Sequence, residues 1–260
     1  MTASVAEFLL VAAEELRAGG WVFTGFNLPV LAARLARRLG YDGFTQVLEA
    51  GAALDRDTDE LLTSTTDYFR TDQATAYLGT SADVLGTIVP RCRRVLLDAA
   101  NVDILGRTNS SVIGDWERPK VRLPGGGGAP DAAFRARHLV LLHGGTRMDR
   151  IVAAVSPVTA APNPDATVRL VTRWGTVTLG TTPHLDTLFP ACDAFAEHLA
   201  TLGVDTSSPT PPPERTPTEL DHATAVLTEA TAAGYSIAAT ETRPTQTRPT
   251  ESGAAGRVAP

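Results

Sequence analysis

The 260-residue sequence predicts an α/β protein built on an open, mostly parallel sheet with helices on both faces. Three observations carry this. A β-prone run at residues 21–24, a turn, a stretch of helical period at 30–39 and a second β-prone run at 44–48 follow one another within about 30 residues, the order of a βαβ unit. Further strands are expected at 94–97, 138–142, 151–155 and 168–172. Residues 176–179 face the last of these across the turn Arg173-Trp174-Gly175, which adds antiparallel character at that end.

The elements can be justified in chain order. Ser4 followed by Glu7 makes a capping box, and Val5, Phe8, Leu9, Ala12, Ala13 and Leu16 recur at helical spacing until Gly19-Gly20. This predicts a first helix of about four turns. Asn27 is placed to cap the second helix, with Pro29 in its first turn, where a missing N–H costs nothing. Glu49-Ala50-Gly51 closes the strand at 44–48. Asp131 is a good N-cap for a helix after the glycine run at 125–128, and 189–202 reads as another helix. Residues 205–218, rich in Ser, Thr and Pro, read as a linker to a last helix at 219–232. Beyond Ser236 there is almost nothing to bury, so disorder is expected. The expected organisation is a body at 1–204, a linker and helix at 205–235, and a disordered tail at 236–260.

Composition narrows the function. With 29 acidic against 23 basic residues and a formal charge of -6, there is no electrostatic footprint for nucleic acid or anionic lipid. No apolar run approaches the ~20 residues a membrane span needs. The N-terminal apolar stretch carries Glu7, Glu14 and Glu15 and reads as an amphipathic helix rather than a signal peptide, so the cytoplasm is the expected location. Cys92 and Cys192 form neither a disulfide framework nor a metal-ligand pattern, and no metal is expected.

Three glycine-containing loops offer chemistry. At residues 25–29, between a strand and a helix, the backbone around Gly25 and Asn27 could hold an anion or a thioester oxygen, or be only a turn. Glu49 stands at the carboxyl end of a strand, where ligands gather in open α/β sheets. A carboxylate there can act as base or nucleophile, and position alone fits a solvated loop residue as well. The run Gly125-Gly126-Gly127-Gly128-Ala129-Pro130-Asp131 can aim several N–H groups into one concavity, as an oxyanion hole requires, or serve as a flexible connection. It lacks the Lys-Ser/Thr pair of a P-loop and the spacing of a dinucleotide fingerprint. His143, at a strand end, fits either a general base or a structural hydrogen bond. Cys192 has no activating partners, and Ser110 and Ser111 lack a nucleophile elbow.

Taken together, these loops resemble the β subunit of glutaconate-type class I CoA-transferases. In that family a Gly-Asn-containing turn leads through an Arg-Pro stretch to a Gly-x-Gly-Gly-Ala-x-Asp loop, matched here from Gly106 through Asn109, Arg118-Pro119 and Gly125 to Asp131. The family glutamate lies in a Glu-Asn-Gly or Glu-Ser-Gly motif, and Glu49-Ala50-Gly51 occupies that place. Residues 25–29 resemble the early Gly-x-x-Leu-Pro turn, and Ser156-Pro157 a later Ser-Pro element. The resemblance covers roughly residues 4–203. Ala50 stands where Asn or Ser is usual, Arg107 where Asn is common, and the acidic stretch 52–78 is unlike the family.

The resemblance implies the CoA-transferase fold and a role for Glu49 as the residue that accepts CoA. It implies oxyanion or CoA binding by Gly25, Asn27, Gly127, Gly128 and Ala129, with Asn109 and His143 behind them. It implies transfer of CoA between an acyl-CoA and a carboxylic, dicarboxylic in expectation, acid, with no permanent cofactor and coenzyme A thioester as substrate. An α-type subunit, in an α2β2 assembly, is the implied partner. Hydrolysis or decarboxylation of CoA thioesters on the same scaffold, or a non-catalytic subunit completing a partner's site, are the alternatives.

Overall fold

The structure is a computed structural model and describes residues 2–236. The chain runs α1 (Val5–Glu14), β1 (Gly20–Thr24), α2 (Leu28–Arg38), β2 (Phe44–Leu48), β3 (Ala52–Leu54), α3 (Tyr68–Thr71), β4 (Thr75–Leu78), α4 (Ser81–Asp83) and β5 (Arg94–Asp98). It continues with β6 (Val102–Asp103), β7 (Val112–Gly114), β8 (Pro119–Arg122), α5 (Ala129–Arg135), β9 (His138–His143) and β10 (Ile151–Val152). The last elements are β11 (Thr167–Thr172), β12 (Gly175–Leu179), β13 (His184–Leu188), α6 (Asp193–Thr201) and α7 (Pro217–Ala232).

A nine-stranded sheet, in the order β13-β12-β11-β9-β5-β1-β2-β3-β4, organises the body. Strands β11, β9, β5, β1 and β2 are mutually parallel, while β3 and β4 extend one edge and β12 and β13 the other antiparallel. The expected mostly parallel sheet is therefore present, with antiparallel edges on both sides. Its central strands are buried along nearly their whole length, as strands covered on two faces must be.

Connection handedness explains the layers. The β1-α2-β2 crossover steps one way along the sheet and β5-α5-β9 the other. Right-handed crossovers in opposite directions place α2 and α5 on opposite faces. Between β1 and β5 the chain's direction of travel reverses, which makes their carboxyl ends a topological switch point, where such sheets bind ligands.

On the α2 face, α1, α2 and α7 pack on one another. The capping box expected for α1 is formed, with Glu7 N–H donating to Ser4 Oγ at 3.2 Å and Ser4 N–H to Glu7 Oε2 at 2.9 Å. The helix is shorter than four turns, because after Glu14 the chain tightens into three-residue turns ending at Gly19 (φ 69°). A Cβ on Gly19 would sit 2.7 Å from the Gly43 carbonyl oxygen, so the turn needs glycine.

Three further boundaries differ from expectation. Asn27 does not cap α2 through its side chain: it stands at φ 71° and its amide turns to Asp98. The helix after the glycines begins at Ala129, not Asp131, because Pro130 fits its first turn and Gly128 takes the cap position. The expected strand 151–155 shrinks to β10, which pairs β6 outside the large sheet, since the buried Asp103 carboxylate captures the Val155 N–H at 3.1 Å.

Residues 205–216 run along the sheet edge. Leu185 N–H donates to Asp205 O at 2.8 Å and Leu188 N–H to Thr210 O at 3.0 Å, satisfying the outer side of β13. Helix α7 then returns to the core, burying Ala223, Val226 and Ala230, with Arg215 paired to Glu14 and Tyr235 O–H donating to Leu62 O. Apart from Ser236, the expected disordered tail at 236–260 lies outside the described residues. Among the described residues no helix is long and apolar enough to cross a membrane.

Candidate active site

Glu49 follows the last residue of β2 and is half-buried. Its Oε1 accepts a hydrogen bond from the Gly128 N–H at 3.0 Å, across 79 residues of chain. The glycine run is shaped by this approach. A Cβ on Gly128 would lie 2.8 Å from Glu49 Cδ and 3.0 Å from Leu85 Cδ1, and one on Gly127 (φ 51°) 3.5 Å from Glu49 Oε1. Any side chain at 128 displaces the carboxylate.

The loop is held in place from behind. Gly125 N–H donates to Ser110 O at 2.8 Å and Leu123 N–H to Ser111 O at 2.9 Å. Ser110 N–H and the Ser111 hydroxyl meet Thr159 Oγ1 at 3.0 and 2.7 Å. Buried Asn109 organises that support: its Nδ2 donates to Val112 O and Ser156 O, and its Oδ1 accepts from Ser111 and Val112 N–H. All of its amide capacity is spent on protein, so it acts on the loop's shape.

The Glu49 turn has its own supports. Tyr68 O–H donates to Ala50 O at 2.7 Å and Gly79 N–H to Gly51 O at 3.0 Å. A Cβ on Gly51 (φ 122°) would fall 2.2 Å from Gly79 O. Sequence reasoning did not single out Tyr68, Gly79 or Leu85, because nothing local marks residues so far along the chain as neighbours of Glu49.

The remaining candidates divide. Ala129 lies beside the site, but its N–H donates to Gly126 O at 2.9 Å. Gly25 N–H donates to Leu96 O at 2.9 Å, closing the end of β1 onto β5. Asn27 Nδ2 donates to Asp98 at the carboxyl end of β5, bridging the switch point. Asp98 is reached by water at the mouth of a concavity yet surrounded by protein, and this desolvation pushes its carboxyl up to about 6 despite the Asn27 donor. His143, at the end of β9, is buried and its Nδ1 lies 2.8 Å from Ala99 O. The structure thus brings Glu49, Gly127, Gly128 and Ala129 together, and places Asp98, held by Asn27, and His143 on the lining of a separate concavity.

Neither cysteine is poised for chemistry: both are buried, and burial pushes the Cys92 thiol up to about 12. Among the described residues no cluster of His, Cys, Asp and Glu could hold a metal ion.

No family model matches the chain. The B component of 3-oxoadipate CoA-transferase from Pseudomonas knackmussii is 34% identical over 145 residues, 51% of each protein. The chain thus spans about half the length of the curated relative it matches. A crystal structure of the decarboxylase AibA/AibB superposes with a TM-score of 0.71 at 25% identity, covering 85% of this chain and 94% of the other. Glutaconate coenzyme A-transferase from Acidaminococcus fermentans gives 0.71 at 20% identity over 85% and 93%, a likeness of fold. Over about half its length the chain is thus similar in sequence to a CoA-transferase B component, and in fold it is similar to glutaconate coenzyme A-transferase. Glu49 and the 125–128 loop, the two places where the sequence resembles that family's motifs, touch each other.

Proposed function

We propose that this chain is the glutamate-bearing subunit of a CoA-transferase that moves CoA between an acyl-CoA and a carboxylic acid through a glutamyl-CoA thioester. The observation that carries the reading is the Glu49 carboxylate held on the Gly128 N–H, at a position where any side chain on residue 128 would displace it. That hydrogen bond orients Oε1 and leaves Oε2 to attack the thioester carbonyl. The carbon–sulfur bond breaks, giving an acyl anhydride on Glu49 and a CoA thiolate; the thiolate then attacks the Glu49 carbonyl and expels the carboxylate. The acceptor acid reverses both steps. Each tetrahedral intermediate carries an oxyanion, and as Glu49 loses its charge on acylation the Gly128 N–H is released to that oxygen. Such a donor is worth about 3 to 4 kcal/mol of barrier. No step calls for a metal or redox cofactor, and coenzyme A enters as substrate.

An α-type partner, in an α2β2 assembly, completes this reading. Tyr77, Leu78 and Phe69, the last fully exposed, stand beside the Glu49 turn that Tyr68 and Gly79 support, an apolar rim of the kind a second chain covers. The names of the relatives, a B component and a paired AibA/AibB, agree with it.

The test is direct. Incubated with its partner and acyl-CoA, the chain acquires the mass of CoA on the peptide containing Glu49, and Glu49→Gln abolishes both adduct and exchange. Turnover without an adduct at Glu49 overturns the reading. The AibA/AibB likeness gives one rival, decarboxylation of a CoA thioester, and a hydrolase is the other; carbon dioxide or free CoA released without any acceptor acid favours them.

A further inference from the structure

Glu49 follows the last residue of β2, at the carboxyl end of the parallel strands. At the other end of the sheet, where β5 and β9 begin, lies a cavity of about 680 Å3. Four of its seven lining residues are arginines, Arg91, Arg93, Arg94 and Arg137; His138 also lines it, and none of the seven is acidic. In a chain of formal charge -6, one concavity thus gathers one sign of charge, which focuses the field on an incoming anion. Two short basic runs produce it, Arg91-Cys92-Arg93-Arg94 and Arg135-Ala136-Arg137-His138, which the parallel pairing of β5 with β9 sets side by side.

The backbone beneath these side chains is fixed. Arg93 N–H donates to Trp21 O at 2.7 Å, and the Arg93 stem lies beside Gly20, where a Cβ would stand 3.6 Å from it. Arg137 O accepts from Thr167 N–H at 3.0 Å. Most of the charge is uncommitted. Arg94 pairs at 2.9 Å with Glu15, a buried carboxylate that also meets Arg169 at 3.3 Å and is thereby spent. Arg91 donates to a neutral carbonyl, Thr87 O. Arg91, Arg93 and Arg137 are exposed, and among the described residues none of them has a carboxylate within ion-pair distance.

We propose that this cavity binds a diphosphate-bearing small molecule, with the guanidiniums of Arg91, Arg93 and Arg137 donating to its phosphate oxygens. Arginine presents its N–H groups as a planar fork that matches phosphate oxygens two at a time. Three free guanidiniums exceed the charge of one phosphate monoester, roughly -1.5 to -2, and a second linked phosphate makes up the difference. Binding here requires neither Glu49 nor the 125–128 loop, and it stands or falls apart from the transfer reading.

The experiment is calorimetric titration of the full chain with inorganic pyrophosphate, ADP, phosphate and a hexaglutamate peptide. Pyrophosphate or ADP is expected to bind at one site per chain, about tenfold or more tighter than phosphate, and to weaken as salt is added. A preference for ADP assigns the diphosphate to a nucleotide; equal affinity or a preference for pyrophosphate assigns it to the diphosphate alone. Arg93→Gln and Arg137→Gln are each expected to weaken binding about tenfold or more, the worth of a charge-assisted hydrogen bond, with melting temperature unchanged because both side chains are exposed. Arg118→Gln, which removes the same charge from the turn between β7 and β8 outside the cavity, leaves the affinity as it was, and so does Glu49→Gln. The proposal is overturned by absence of saturable binding, by phosphate or hexaglutamate binding as tightly as the better diphosphate, by affinity that survives Arg93→Gln and Arg137→Gln, or by an equal loss in Arg118→Gln. A chain that binds diphosphate but forms no Glu49 adduct overturns the transfer reading alone.

Discussion

Glu49 Oε1 accepts the Gly128 N–H at 3.0 Å, and a methyl group on Gly128 would fall 2.8 Å from the Glu49 carboxyl carbon. Candidate nucleophile and candidate oxyanion donor thus come from loops 79 residues apart and meet in one hydrogen bond. What brings them together is the sheet: β2 ends just before Glu49, and the 125–128 loop leads into α5 on the return from β5 to β9.

Gly128→Ala keeps the N–H but pushes the carboxylate off it. Exchange of CoA between acids is expected to fall by about 10² to 10³ in kcat, the range for losing one oxyanion donor. Far-ultraviolet circular dichroism should be unchanged, because the strain falls on the Glu49 side chain and the Leu85 tip.

Gly51→Ala tests the other loop. At φ 122°, with the Gly79 carbonyl oxygen 2.2 Å from the new Cβ, the turn cannot form as it stands. Both activity and melting temperature are expected to drop, and the combination with Gly128→Ala should cost little further activity, since both displace the same carboxylate.

The Asp98 carboxyl, pushed up to about 6 from an ordinary 3.8, binds its proton more tightly in the folded chain than in the unfolded one. Its contribution to stability is fully present below pH 3.8 and is lost as pH rises through about 6. Asp98→Asn is therefore expected to raise the melting temperature relative to the parent at pH 8 and to give no advantage near pH 3.5, in thermal melts at the two values. Asn27→Gly tolerates the positive φ and removes the donor that favours the charged form, so the Asp98 midpoint, followed by 13C NMR of the carboxyl, should move further up.

Val226 is fully buried on α7. Val226→Ala removes two carbons' worth of burial and leaves a void, a loss of roughly 2 kcal/mol by denaturant titration. A chain in which α7 were a loosely tethered appendage would show no change.

Much of this was legible from local rules. Ser4 and Glu7 announce the α1 cap, the 44–48 strand has the bounds its residues suggest, and Glu49 and the Gly125–Asp131 motif stand out by composition and order. The misread boundaries share a cause. Asn27 stands at φ 71° and turns its side chain to donate to Asp98, 71 residues later, instead of capping α2, and residues 153–155 leave their expected strand because Asp103 claims the Val155 N–H. Both partners are distant in sequence and adjacent only in the folded chain.

The sequence by itself determined the period of the main helices and central strands, their alternation, and the motifs that resemble those of CoA-transferase β chains. The tertiary structure decided which glycine of the 125–128 run meets Glu49, that Ala129 spends its N–H on Gly126, that Asn27 turns to Asp98 across the β1/β5 switch point, and that Asp98 and His143 line one cavity which Glu49 does not line. The division has one physical reason. Capping, turns and periodicity are settled within a few residues, whereas hydrogen-bond partners between strand ends depend on strand order and register, which only the closed packing of the whole sheet sets.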